Sequence, residues 1–128
     1  MILVDAINFQ QIYNEISTLK LPIKVSYGLS KIMNGLKDDI DFFNSRLQEI
    51  VTDYSDKDEN GNPILTDDGR GIVVSDEKKE ECNQKIQELY TTEITPPATN
   101  LTIGDLENVS NLELTVQQIE ILAKFLGE

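Results

Sequence analysis

Leu29, Met33, Leu36, Ile40, Phe43, Leu47, Ile50 and Tyr54 follow one another at steps of 4, 3, 4, 3, 4, 3 and 4. A series with that period returns to one side of the chain only in an α-helix, and here it forms an uninterrupted heptad seam. The predicted helix runs from about Ser26 to Tyr54 and would be about 43 Å long at about 1.5 Å per residue. That exceeds the width of a small globule, so part of the helix is expected to reach beyond its own core. Gly28 and Gly35 sit one heptad apart on one side. Either they admit a second backbone at close range, or they only soften the helix, by about 1 kcal/mol each relative to Ala.

The 128 residues are enough for a single domain. Before the long helix, Phe9, Ile12, Ile16 and Leu19 share a helical face, which predicts a helix over about 6 to 20 after a short strand at 2 to 4. Asn8 with Gln11, or Asp5, would open it. Leu21 precedes Pro22 and is pushed out of the α region, which stops it. After the long helix, Ile64-Leu65 and Gly71-Ile72-Val73-Val74 flank Asp67-Asp68-Gly69-Arg70 and read as a β-hairpin. A third helix is predicted over about 76 to 91, with Cys82, Ile86 and Leu89 as its seam. An extended Glu93 to Thr99 linker carries Pro96-Pro97. A strand at Leu101 to Ile103 is placed to pair with residues 2 to 4. The Thr115 to Gln118 capping box opens a final helix. The expected fold is therefore α+β, mainly α: a long helical hairpin with a β-hairpin at its tip, short terminal strands and a C-terminal helix.

Composition excludes several chemistries. The chain has no His and one Cys. A Ser-His-Asp or Cys-His nucleophile, an imidazole base, a His-ligated metal and an internal disulfide are all ruled out. The formal charge of −12 makes non-specific capture of nucleic acid through a basic field improbable. That charge is uneven, with +1 over residues 1 to 35 and −13 over the rest. The apolar run at Ile2 to Val4 is too short for a signal peptide or a membrane span, so synthesis and retention in a cytosol are expected.

The sharpest local motif is Asp56-Lys57-Asp58-Glu59-Asn60-Gly61, the first half of an EF-hand loop. Its ligands would be Asp56, Asp58, Asn60 and Asp67. The second half departs from the pattern: Pro63 stands at the eighth position and Asp67 replaces the bidentate Glu at the twelfth. A polar turn is the stronger reading, and no cofactor is expected. Asp38, Asp39 and Asp41 read as a solvated acidic face, Cys82 as a buried thiol, and the scattered Tyr13, Tyr27, Tyr54 and Tyr90 make no stacking platform. No enzymatic activity is expected.

The stretch Leu21-Pro22-Ile23-Lys24-Val25-Ser26-Tyr27-Gly28-Leu29-Ser30-Lys31 resembles a signature of a family of small tailed-bacteriophage proteins without assigned function. In that family Leu-Pro-x-Lys-x-x-Tyr-x-Leu-x-Lys opens a long helix. The similarity continues through Lys57-Asp58-Glu59-Asn60-Gly61-Asn62 and ends at Leu114-Thr115. The resemblance implies a phage origin, synthesis in a bacterial cytoplasm and a place in the virion, in tail or neck assembly. It supplies no catalytic residues. The expected role is that of a non-enzymatic virion-associated structural or accessory protein. Met33, Leu36, Ile40, Phe43, Leu47, Ile50 and Tyr54 would dock on other virion proteins or on a second copy, with no direct nucleic-acid or membrane contact. The alternative is an acidic inhibitor in which Asp38, Asp41, Glu49 and Asp53 imitate a phosphate backbone and enter the basic groove of a host nucleic-acid enzyme.

Overall fold

Pro22 sets the register of everything after it. Its carbonyl accepts the Ser26 amide at 2.9 Å, and its fixed φ suits the entry to a helix. In the computed structural model, which describes residues 1–67, 69 and 71–127, the helix that follows is continuous over Ile23–Tyr54. It is α2 of five: α1 Leu3–Ile16, α2 Ile23–Tyr54, α3 Asp76–Tyr90, α4 Ile103–Glu107 and α5 Val116–Ala123. The chain divides into two compact units. One comprises Met1–Ile40 with Glu93–Glu128, the other Asp41–Thr92, so α2 contributes residues to both.

The core of the first unit gathers four faces. Ala6, Phe9, Ile12 and Ile16 come from α1, and Val25, Leu29, Ile32, Leu36 and Ile40 from α2. Leu101, Leu106 and Val109 come from α4 and its flanks, and Leu122, Phe125 and Leu126 from α5 and its exit. The Phe9 and Phe125 rings meet at 4.8 Å between centroids. The predicted seam is largely the buried face of α2, with one exchange. Ile32 is fully buried and Met33 only half-buried. Ile32 bridges Leu29 and Leu36 by steps of three and four as well as Met33 does. A globular core takes a wider stripe than a coiled-coil seam.

Leu101 and Pro97 lie on α2 at its two glycines. A Cβ added to Gly28 would stand 3.1 Å from the Leu101 side chain, and one at Gly35 would stand 2.8 Å from Pro97 Cβ. Of the two readings of these glycines, close approach is the one seen, but what approaches is the side chains of Leu101 and Pro97 rather than a second backbone. The 97 to 101 segment is also tied at both ends. Ile94 donates to the Met1 carbonyl at 3.0 Å, and Leu101 and Gly127 are joined by a 3.0 Å bond from the Gly127 amide.

In the second unit Phe43 and Ile50 of α2 and Cys82 and Leu89 of α3 are buried. Phe43 stacks on Tyr90 at 5.4 Å and 18°. Helix α2 ends where Ser55 Oγ donates to the Thr52 carbonyl at 2.6 Å. The Lys57 ammonium caps the Thr52 and Ser55 carbonyls there.

The expected α+β class is corrected to a mostly helical one, with 59% helix and no sheet among the described residues. The β-hairpin is not formed. Leu65 with Ile72, and Lys57 with Pro63, make only isolated antiparallel bridges. Ile64 divides its backbone between two neighbours, donating to Asp56 and accepting from Val73. The Gly71 amide turns to the Thr66 hydroxyl at 3.2 Å. Pro63 has no N–H to extend a ladder, and Ile64 and Leu65 stay exposed, so no apolar face holds two strands together. Asp68 and Arg70 of that expected turn lie outside the described residues. The terminal strands are corrected as well. Leu3 and Ile103 begin helices, Ile2 bridges to Glu93, and Thr102 bridges to Gly127. Helix α4 was not foreseen. Its opening is a reciprocal Thr102–Asp105 box, with the Asp105 amide on Thr102 Oγ1 at 3.2 Å and the Thr102 amide on Asp105 Oδ2 at 2.9 Å. The expected box of Thr115 and Gln118 opens α5 in the same way.

Two stability tests follow from this packing. Gly35→Ala gains about 1 kcal/mol of helix propensity but meets Pro97, and overpacking of this kind costs about 1–3 kcal/mol. A net loss of about 1 kcal/mol is expected in urea unfolding, reversing to a gain when Pro97→Gly removes the opposing Cβ. The second concerns Asp5, whose side chain is buried beneath Lys124 at 2.9 Å. Burial disfavours its charge, but the Lys124 ammonium and the Ile2 amide outweigh burial and hold its carboxyl below the ordinary value. The folded chain thus binds fewer protons than the unfolded one at that site. The contribution is complete above the ordinary carboxylate range and disappears as pH falls through the lowered value. Asp5→Asn should reduce stability near neutral pH and flatten the acid limb below about pH 4.

Candidate functional site

Between Glu15 and Asp38 the sequence holds four lysines, Lys20, Lys24, Lys31 and Lys37, and no acidic residue. The segment from Ile94 to Gly104 has no charge at all. The fold brings these two acid-free stretches together in the first unit. Where the 98 to 101 segment lies beside α2, a groove of about 380 Å³ opens. Lys24, Tyr27, Gly28 and Lys31 form one wall, and Ala98, Thr99, Asn100 and Leu101 the other. Steps of three and four place Lys24, Tyr27 and Lys31 on one side of the helix. The Tyr27 ring is 64% exposed and Ile23, one turn earlier, 87%.

Within the groove the groups are only partly engaged. Lys24 reaches Asp105 at 3.1 Å, an ion pair whose lysine stays largely in solvent. The Thr102 amide and the Lys24 ammonium hold the Asp105 carboxyl below its usual value. Lys31 lies 5.8 Å from the centroid of the Tyr27 ring, a cation–π contact. Thr99 Oγ1 accepts the Leu101 amide at 3.1 Å. The backbones of Ala98 and Asn100 make no hydrogen bond among the described residues. Tyr27 was read in the sequence only as one of four scattered tyrosines. The signal that marks the groove is the run of lysines without carboxylates in a chain of net charge −12.

The residues expected to dock on a partner occupy other places. Leu36 and Ile40 are buried in the core of the first unit, Phe43 and Ile50 in that of the second. They are not available as a free edge, because the chain covers the seam itself. Met33 and Leu47 are half-buried, and so is Tyr54, whose hydroxyl donates to Glu81 at 3.1 Å. Apolar side chains left in solvent include Ile23, Tyr27 and Phe42 on α2, Val116 and Ile119 on α5, and Leu19, Ile64 and Leu65 outside the helices. Ile119 also lines an apolar cleft of about 230 Å³ with Leu106, Leu112 and Leu114.

The EF-hand-like stretch is a turn. Asp58 Oδ1 accepts the amides of Asn60 at 2.9 Å and Asn62 at 3.0 Å, and Gly61 takes φ +82°. Both bonds tie the carboxylate to its own loop, which is the work of an Asx turn. Among the described residues no cluster of three or more acidic or thiol groups could hold a metal ion, Asp56, Asp58 and Asp67 included. Burial raises the pKa of the Cys82 thiol and keeps it unreactive. Asp38, Asp41, Glu49 and Asp53 are exposed. Among the described residues, no helix is long and apolar enough to cross a membrane.

No protein family, no curated protein and no solved structure matches this chain.

Added calcium should leave the urea midpoint of the protein unchanged. Asp58→Ala should lower its stability by about 1 kcal/mol through the loss of the two amide caps.

Proposed function

We propose that this protein is a non-catalytic structural or accessory protein of a bacteriophage particle, docking on other particle proteins through apolar side chains that its own cores leave uncovered. The phage origin rests on the resemblance of the Leu21 to Lys31 stretch. The observation that carries the docking role is on α5, where Val116 is 73% exposed and Ile119, one turn later, 43%. Between Thr115 and Ala123 the only charged residue is Glu120. A charge-poor apolar face in so acidic a chain has the composition of the centre of a protein interface. The adjoining cleft, lined by Leu106, Leu112 and Leu114 with Glu107 at its side, would receive an apolar side chain of the partner. This surface replaces the α2 seam, which is spent on internal packing.

Mass spectrometry of gradient-purified particles should find the chain in stoichiometric amount. Val116→Asp, at an exposed position, should change folding stability by no more than about 0.5 kcal/mol and yet remove the chain from particles. Absence of the wild-type chain from particles would defeat the proposal.

A further inference from the structure

We propose that the groove between the first turns of α2 and the Ala98 to Leu101 segment binds an acidic stretch of another polypeptide in extended conformation. Its carboxylates would meet Lys24 and Lys31, and its backbone would pair with the open edge at Ala98 and Asn100. This goes beyond the particle-associated role and does not depend on it.

Three independent features converge on that occupant. The first is charge. The stretch from Ile16 to Lys37 carries +4, so the remaining residues sum to −16. The groove itself holds Lys24, whose ammonium stays largely in solvent although it pairs with Asp105, and Lys31, which makes no ion pair among the described residues; this net positive charge on an anionic molecule selects an acidic partner and speeds its encounter. The second is backbone. Pro97 and Leu101 anchor the extended segment on Gly35 and Gly28, while Ala98 and Asn100 are exposed and carry amides and carbonyls without hydrogen-bond partners. An extended segment fixed in that way is a template for strand addition, in which main-chain bonds give affinity and alternate side chains give specificity. The third is apolar surface. The exposed Tyr27 ring and Ile23 stand beside the lysines, so alternate apolar side chains of an added strand have surface to cover. A small anion would use the lysines alone and leave both the edge and the ring unused.

The probe is a short fluorescein-labelled peptide alternating glutamate with valine, titrated against the full chain by fluorescence anisotropy. Binding should weaken as salt rises from low to physiological levels. Lys31→Gln removes an ammonium that makes no ion pair among the described residues, and it and Tyr27→Ala should each lower affinity by roughly two- to five-fold. A peptide N-methylated at alternate backbone nitrogens should bind roughly ten-fold more weakly. Amide resonances of Ala98 and Asn100 should shift on binding and become protected from exchange. Circular dichroism and urea unfolding of both variants establish that they remain folded. Equal binding of the N-methylated peptide, shifts confined to other residues, or displacement of the peptide by inorganic phosphate at matched ionic strength would each overturn the proposal. The particle measurement above has a separate readout, so either reading can fail without the other.

Discussion

The seating of two side chains, Pro97 and Leu101, on a helix at its two glycines organises the first unit. Pro97 sits over Gly35 at a distance that leaves no room for a methyl group, and Leu101 over Gly28 at one where a methyl group would fit only if the leucine shifted. With Leu101 pinned there, the Thr102–Asp105 box opens α4, and the Leu101 carbonyl is positioned to take the Gly127 amide. The exit of α5 and the loop after α4 then close the core over Leu29, Ile32 and Leu36. Glycine at these positions costs helix propensity, but it allows burial of Leu101 and of the apolar residues that follow it.

The charge distribution of the fold sharpens what composition could only hint at. Two stretches without acidic residues, far apart in sequence, meet on one surface of an acidic chain, with Asp105 at its edge paired to Lys24. Lys24, Tyr27 and Lys31 are brought to the same wall by helical periodicity, and the facing wall comes from a segment with no charge. Acidic residues elsewhere are mostly solvated or pair locally, as Arg46 does with Glu49 and Lys79 with Asp76. Such exposed pairs contribute little to stability.

Long periodicity was the part of this fold that the residues announced. The seam from Leu29 to Tyr54, the third helix and the Thr115 box are all local or periodic signals, and each marks an element seen in the structure, whereas the first helix spans Leu3–Ile16 and ends ahead of the stop expected at Leu21-Pro22. Short apolar runs misled. Ile64-Leu65 and Gly71 to Val74 have strand composition, but strand pairing depends on a face to bury, and that is a tertiary property. Leu101 to Ile103 looks equally strand-like, yet a capping threonine and an aspartate three residues on turn it into a helix start. The seam also overstated its free surface, because the covering residues come from distant parts of the chain that no window on α2 can see. The groove was hidden for the same reason: the nearest sequence separation between its walls, from Lys31 to Ala98, is 67 residues.

Two successive prolines, Pro96 and Pro97, lead into the outer wall of that groove. Each ring fixes its own φ, and Pro97 also restrains the residue before it to extended conformations. The wall is thus stiff before anything touches it. An occupant would find a surface whose conformational freedom was given up during folding, and the entropic penalty of ordering would fall almost wholly on the incoming chain.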